Sequence, residues 1–425
     1  MLVGVEPGKV TDVLAKSTAA WVKSQMDQEP NLTDWGVIVA EYQIDQAYRP
    51  PGQFNPNYKP EPYPEKIADM LYTDFSDSQN APGQMMGRSI GCQDLAATGS
   101  SGFAIRVSFP DGVEKYFLTT AHHVVAKDSS PIDRNSTEPK VNAESPSQSD
   151  HDGWVQYFTD GIQQTENDPL YLLMAAKEGA GILTVGQGIL ANMRERIERF
   201  RTGIQSSENY NRSIGTVYRS SGDETVYNDW VRDWALVEIE PRLLQNKAIL
   251  NNAPSKLVHK EMDVLRYQLP SLAKEKLHQC YLLGRTSIYN AGCINESPAM
   301  VWYTSKSGRK IQARTAIATS SRDLYTRFRT FSQDSDSGGA VLDKEYNPCG
   351  ILWGGCREPC DNVESSDEGT TKRKSMFDFD GIHFVLPVKV LLDDVRSTLC
   401  MDHKSEVQVE LIGAKASSIF NQSLR

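Results

Sequence analysis

The sequence predicts a mainly β protein with a helical insertion and a closing C-terminal helix. Short segments alternate apolar and polar residues and are bounded by turn signals, the period-2 mark of half-buried strands. Residues 170–199 switch to helical spacing between two such β-rich parts. Residues 389–399 (KVLLDDVRSTL) repeat apolar positions at helical spacing after the last strand candidate.

Residues 8–27 predict an amphipathic helix carrying Val10, Val13, Leu14, Trp21 and Val22, ended by Glu29-Pro30. A strand candidate follows at 34–44, and then a proline-rich loop at 49–64. Residues 102–109 (GFAIRVSF) place Phe103, Ile105, Val107 and Phe109 on one face. Pro110-Asp111-Gly112 turns the chain, and 115–120 (KYFLTT) returns it as a hairpin to Ala121-His122-His123. Residues 126–170 are polar and predict an elaborated surface loop, followed by helix interrupted at 179–181. Strands are expected at 213–219 and 234–240, a helical linker near 241–278, then strands at 279–284, 300–304, 310–318, 339–342, 350–354 and 381–388. Residues 356–380 predict a mobile polar loop, and residues after 403 have no partner in this scheme.

The 425 residues are 39% hydrophobic and 24% charged, ordinary for a globular chain with a substantial core. The formal charge of −10, from 45 basic and 55 acidic side chains, argues against nucleic acid and anionic membranes as partners. The basic run 194–201 (RERIERFR) carries two glutamates and reads as a solvated helix face. The glycines at 179, 181, 186 and 188 lack a following Lys-Ser/Thr, so no phosphate loop is expected. Seven irregularly spaced cysteines predict free thiols. Cys356 and Cys360 lack a second ligand pair, so no metal site is expected, and no cofactor. The first residues lack a basic flank with a long apolar run, and no apolar run spans a bilayer, so a cytoplasmic chain is expected, within a larger multidomain protein in one variant of this reading.

Three short stretches carry chemistry: 118–125 (LTTAHHVV), 232–238 (RDWALVE) and 334–342 (DSDSGGAVL). A serine hydroxyl needs an imidazole to take its proton, and that imidazole needs a carboxylate to fix its tautomer. Glycines after the serine allow a tight exposed turn. His122 is favoured over His123 as base, because Ala121 supplies the small residue before it. Asp233 is favoured over Asp229 because it leads straight into an apolar strand, and Ser337 over Ser335 because two glycines follow it.

In this order, His then Asp then Ser, the stretches resemble the chymotrypsin/trypsin family of serine proteases, especially trypsin-like domains found without signal sequences in larger fungal proteins. LTTAHH looks like its histidine stretch, DWALVEI like its aspartate stretch, and DSGGAVLD with residues 349–355 (CGILWGG) like its nucleophile loop and cleft strand. Residues 283–295 are similar to an early hairpin of its second barrel. The resemblance spans roughly residues 86–400. It implies two perpendicular six-stranded antiparallel β-barrels with the active site between them. The domains would be an extension at 1–85, a first barrel at 86–245 with an insertion at about 127–205, a linker helix, second barrel and closing helix at 246–402, and a tail at 403–425.

The resemblance also implies an oxyanion hole from the N–H groups of Ser335 and Ser337, and substrate contacts at Phe331, Trp353, Gly354 and Gly355. Its partner would be a protein or peptide substrate. Two departures stand out. Ser335 occupies a place the family gives to glycine, where a side chain disfavours the peptide orientation an oxyanion hole needs. The interval from His122 to Asp233 is also unusually long, which the insertion accounts for. Phe331 at the pocket base carries no charge, which argues against Lys/Arg preference, and His383 on the neighbouring strand would meet an acidic or amide side chain. Residues 88–91 (RSIG) match a zymogen cleavage site poorly. The alternative class is a catalytically silent module that uses the cleft or insertion to hold a partner.

Overall fold

Mostly antiparallel pairing draws most of the described strands into two large sheets that meet over an apolar core. The computed structural model describes residues 2–5, 11–28, 38–41, 43–46, 84–93, 95, 97–133, 140–182, 186–241, 244–248, 277–287, 290–295, 298–320, 331–333, 335–344, 347–357 and 382–412. The expected loop at 49–64, all but the first two residues of the one at 356–380 and most of the helical linker at 241–278 lie outside the described residues; within the linker Leu244–Ala248 is a strand, not helix.

In chain order, β1 (Leu2–Val5) and α1 (Asp12–Met26) precede β2 (Ile38–Glu41), β3 (Gln43–Gln46) and β4 (Gln84–Met86). Then come β5 (Ser89–Cys92), β6 (Gly99–Ser100), β7 (Ala104–Ser108) and β8 (Glu114–Thr120). After α2 (His122–Val125) and β9 (Asn142–Glu144), three helices form the insertion: α3 (Gln148–Glu166), α4 (Pro169–Gly179) and α5 (Gln187–Asn209). Strands resume with β10 (Ser213–Ser220), β11 (Val226–Tyr227), β12 (Trp230–Val231), β13 (Ala235–Ile239) and β14 (Leu244–Ala248). The second half holds β15 (Leu277–Leu283), β16 (Asn290–Asn295), β17 (Ala299–Thr304), β18 (Lys310–Ser320), β19 (Ala340–Asp343), β20 (Pro348–Arg357) and β21 (Ile382–Pro387). It closes with α6 (Val388–His403) and β22 (Gln408–Leu411).

The first sheet has eight strands in the order β22-β7-β8-β13-β10-β9-β5-β6. It is open at both edges among the described residues, in place of the expected closed six-stranded barrel. The second sheet contains a closed antiparallel ring, because β18 pairs with both β16 and β21 while β15, β19 and β20 complete the circuit. Closure removes strand edges from that half. Strands also add outside the ring: β12 and β17 pair with β18, and β3 pairs with β20, with Gln46 opposite Gly354 and Asp45 opposite Gly355.

The inward faces of both sheets and α6 share a core that includes Phe103, Ile105, Phe117, Trp234, Leu283, Trp353, Phe384, Leu391 and Val395. Phe103, Ile105 and Val107 are the alternating face expected for the hairpin, and all are buried. α6 supplies Val388, Leu391, Val395 and Leu399 to it, the helical spacing expected of a closing helix.

Two expectations are corrected. The polar stretch before residue 170 is not a loop throughout, since α3 runs through it from an N-cap at Ser147. Its Trp154 and Phe158 pack on Phe200 of α5, a face hidden by polar composition. The segment after 403 also has a partner, because β22 pairs with β7 through Val409 opposite Val107. α1 forms as expected, but Val13, Leu14 and Trp21 remain exposed.

Candidate active site

β8 ends at Thr120, paired with Ala235 at the start of β13, so the single turn of α2 and the residues preceding β13 meet. Asp233 faces His123, not His122. Its Oδ1 accepts the His123 backbone N–H at 3.1 Å, and its Oδ2 contacts His123 Nδ1 at 2.6 Å. Both side chains are buried. Assigned from this network, Nδ1 carries the proton and Nε2 presents the ring's lone pair. Burial alone would push the Asp233 carboxyl up, but the adjacent His123, by charge and by hydrogen bonds, holds it below the usual carboxylate value.

His122 occupies a different pocket. Its Nε2 reaches the Asp128 carbonyl at 3.0 Å and its Nδ1 the Ser220 hydroxyl at 2.9 Å. Since a carbonyl only accepts, Nε2 is the protonated nitrogen, and Ser220 donates to Nδ1 while accepting from Ile132 N–H at 2.8 Å. Both ring nitrogens are thereby occupied, and the expected His122–Asp233 pair does not form. The small Ala121 before it does not bring His122 to Asp233, because Ser220 and Asp128 satisfy its ring in another berth.

The flanks of Asp233 are fixed from α6. Arg232 Nε and Trp234 Nε1 both donate to Asp394 Oδ2, at 2.8 and 2.6 Å. Trp234 N–H donates to Ser221 Oγ at 2.9 Å. Asp233 is left to face α2. Lys306, on the turn between β17 and β18, donates to the carbonyls of His123 and Ala126 at 2.8 and 2.5 Å, satisfying the end of that turn. Asp229, the alternative acid, is an exposed turn residue with φ of 66°.

The Ser337 loop lies against the same turn. A Cβ on Gly338 would stand 2.9 Å from Ala121 N and 2.3 Å from Ser100 O, and Gly338 has φ of 86°, so only glycine fits. Ser100 N–H donates to Ser337 O at 2.7 Å, and Gly338 N–H to Leu352 O at 2.7 Å. The Ser337 hydroxyl is turned toward Trp353 O at 3.5 Å, the outer limit of a hydrogen bond. Ser335 adopts φ of 70°, the left-handed conformation a glycine takes freely, at a cost of about 1 kcal/mol. The N–H groups of Ser335 and Ser337 make no hydrogen bond among the described residues.

Asp336 holds this loop from beneath. Its carboxylate accepts from Gln333 N–H at 2.8 Å, from Thr286 and Ser287 N–H at 2.7 and 3.1 Å, and from the Ser287 hydroxyl. Burial still pushes its carboxyl up. A freed amino terminus is not among these donors, and residues 89–92 run on as buried strand β5.

Of the expected substrate contacts, Phe331 is fully buried against Gly292, and the Trp353 indole stacks on Phe384 and donates to Thr315 Oγ1 at 2.9 Å. Trp353 therefore offers the site only its backbone. Gly354 and Gly355 lie on β20, paired with Phe384 and His383 of β21. His383 stands 5.5 Å from the Phe331 ring and shares a 2.7 Å hydrogen bond through Nδ1 with Ser332. Its Nε2 is buried and has no hydrogen-bond partner among the described residues. Burial pushes its pKa down to about 3, so the ring is neutral.

Buried neutral histidines make stability pH-dependent. Unfolded imidazoles bind protons below about pH 6.5, whereas His122 and His383 resist them in the fold. The unfolded state then binds more protons, and stability falls as pH drops below that point, by up to about 1.4 kcal/mol per pH unit for each histidine. Urea unfolding at pH 7.5, 6 and 5 is expected to show this decline, with a shallower slope in His383→Gln. Equal slopes would exclude His383 as a contributor.

Among the described residues no His, Cys, Asp or Glu cluster could hold a metal ion, and no helix is long and apolar enough to cross a membrane. No family model matches the chain, and no curated protein matches it. Solved structures similar to the chain include two serine proteases. One is a glutamic-acid-specific serine protease that uses a histidine triad in substrate binding, at 12% identity and TM-score 0.32 over 73% of this chain and 97% of that one. The other is Cellulomonas bogoriensis chymotrypsin, at 15% identity and TM-score 0.31 over 73% of this chain and 94% of that one.

Proposed function

We propose that the chain is a chymotrypsin-like serine endopeptidase in which Ser337 is the nucleophile, His123 the general base and Asp233 the group that orients it. The observation that carries this is the buried 2.6 Å His123–Asp233 contact, on a turn packed against the Ser337 loop. The reaction requires the Ser337 hydroxyl to leave the Trp353 carbonyl and rotate to His123 Nε2, a tightening expected on substrate binding. Nε2 takes the hydroxyl proton as Oγ bonds the scissile carbonyl carbon. The carbonyl oxygen becomes an oxyanion facing the Ser335 and Ser337 N–H groups. The C–N bond then breaks, and the imidazolium returns the proton to the leaving amine. Water, deprotonated by the same Nε2, releases the acyl group and restores Ser337. Asp233 remains ionised and stabilises the imidazolium. One oxyanion donor is worth about 100- to 1,000-fold in turnover.

Substrate selection follows from the pocket base. With Ser332 donating to His383 Nδ1, Nε2 presents a proton, which suits the carbonyl of an amide or a carboxyl group and opposes a Lys or Arg donor. The acyl side of a substrate adds as a strand to β20 at Gly354 and Gly355, the edge on which β3 sits.

The orientation of the Ser337 hydroxyl toward Trp353 favours a second reading, a silent module that binds partners in the cleft. Incubating the full chain with a fluorophosphonate separates the two. One covalent adduct on Ser337, absent in Ser337→Ala, with peptide-library cuts after Gln or Glu and few after Arg or Lys, is expected. Folded protein that takes up no label is the module.

A further inference from the structure

The helical insertion is fastened to the loop that shapes the oxyanion donors. Asp150, in the first turn of α3, is buried, and its carboxylate forms a fork with Arg285: Nε meets Oδ2 at 2.6 Å and Nη2 meets Oδ1. Such bidentate charge-assisted pairs fix geometry as well as distance. Arg285 immediately precedes Thr286 and Ser287, two of the three residues whose N–H groups hold Asp336. Its Nη1 also donates to Thr286 Oγ1 at 2.9 Å. A second path is equally short. Arg285 N–H donates to Ser100 Oγ at 2.8 Å, and that hydroxyl donates to Ser335 O at 3.2 Å. Asp150 thus reaches both Ser335 and Asp336 through one arginine.

The insertion is built to hold Asp150 still. Ser147 caps α3 by accepting the Asp150 N–H at 3.3 Å. α3 and α5 interlock where a Cβ on Gly161 would stand 2.5 Å from the Phe200 ring and one on Gly203 2.8 Å from the Phe158 ring.

We propose that Asp150 is a positioning residue: through Arg285 the insertion sets residues 284–287, and these set the oxyanion segment, so no cleaved amino terminus is needed to order it. This rests on the serine-protease reading above. Asp150→Asn in the full chain is expected to lower kcat and the fluorophosphonate labelling rate by about 10-fold or more with KM within about 2-fold, the pattern of a lost transition-state interaction. Amide hydrogen exchange is expected to quicken across residues 284–287 and 333–339. Arg285→Lys keeps the charge but loses the fork, and gives the same pattern if Asp150→Asn fails to fold. Arg201→Gln, which removes an exposed ion pair between α5 and Glu166, leaves both readouts unchanged. Wild-type kcat in folded Asp150→Asn and Arg285→Lys, or exchange that rises only within α3, overturns the proposal. If the unaltered chain takes up no label, the protease reading fails, while the exchange comparison still decides whether the insertion orders the loop.

Discussion

Replacing His123 with alanine lowers turnover and fluorophosphonate labelling by about 10⁴-fold or more, whereas replacing His122 leaves both within about 10-fold and costs stability instead. The two imidazoles are adjacent in sequence and opposite in consequence. His123 faces a buried carboxylate and stands on the turn against the Ser337 loop. His122 is saturated by Ser220 and Asp128, and burial pushes its pKa down, so it neither gives nor takes a proton near neutrality. His122→Ala leaves a cavity and a stranded Asp128 carbonyl, worth about 2–4 kcal/mol of unfolding free energy. Labelling rates beside urea unfolding curves measure both halves. Loss of labelling in folded His122→Ala, with His123→Ala still active, would reverse the assignment.

Asp233→Asn is expected to cost about 10⁴-fold in kcat with the fold retained. An amide preserves the shape of the contact but places N–H donors toward His123 Nδ1. The imidazole then shifts its proton to Nε2, and Ser337 has no acceptor. Asp229→Asn, on the exposed turn four residues earlier in the chain, is the matched control and leaves kcat unchanged. Comparable losses in both variants would mean that Asp233 does not orient the base.

Much of this arrangement was legible because strand alternation and turn residues are local. The hairpin ending at Thr120, the apolar strand after Asp233 and the Gly-Gly after Ser337 each declare themselves within a few residues. The choice between His122 and His123 does not, since the groups that satisfy His122 come from Asp128 and from Ser220, nearly a hundred residues on. Ser335 departs from the family's glycine, and its neighbours hold it at a positive φ that its own side chain disfavours, which no local pattern shows. The buried face of α3 was present as Trp154, Phe158, Gly161 and Thr165, spaced for one side of a helix and masked by polar residues such as Gln156, Thr159, Asp160, Gln163 and Gln164 between them. The Asp150–Arg285 fork joins segments more than a hundred residues apart and leaves no mark in either.

The strand at 43–46 places part of the chain on β20 in antiparallel register, its later residue toward the Leu352–Trp353 end that touches the nucleophile loop. On the proposed mode of binding, an incoming peptide contends with a tethered rival whose effective concentration is fixed by covalent connection and does not fall on dilution. Apparent affinity for any added peptide is scaled down by the fraction of molecules in which that edge stands vacant.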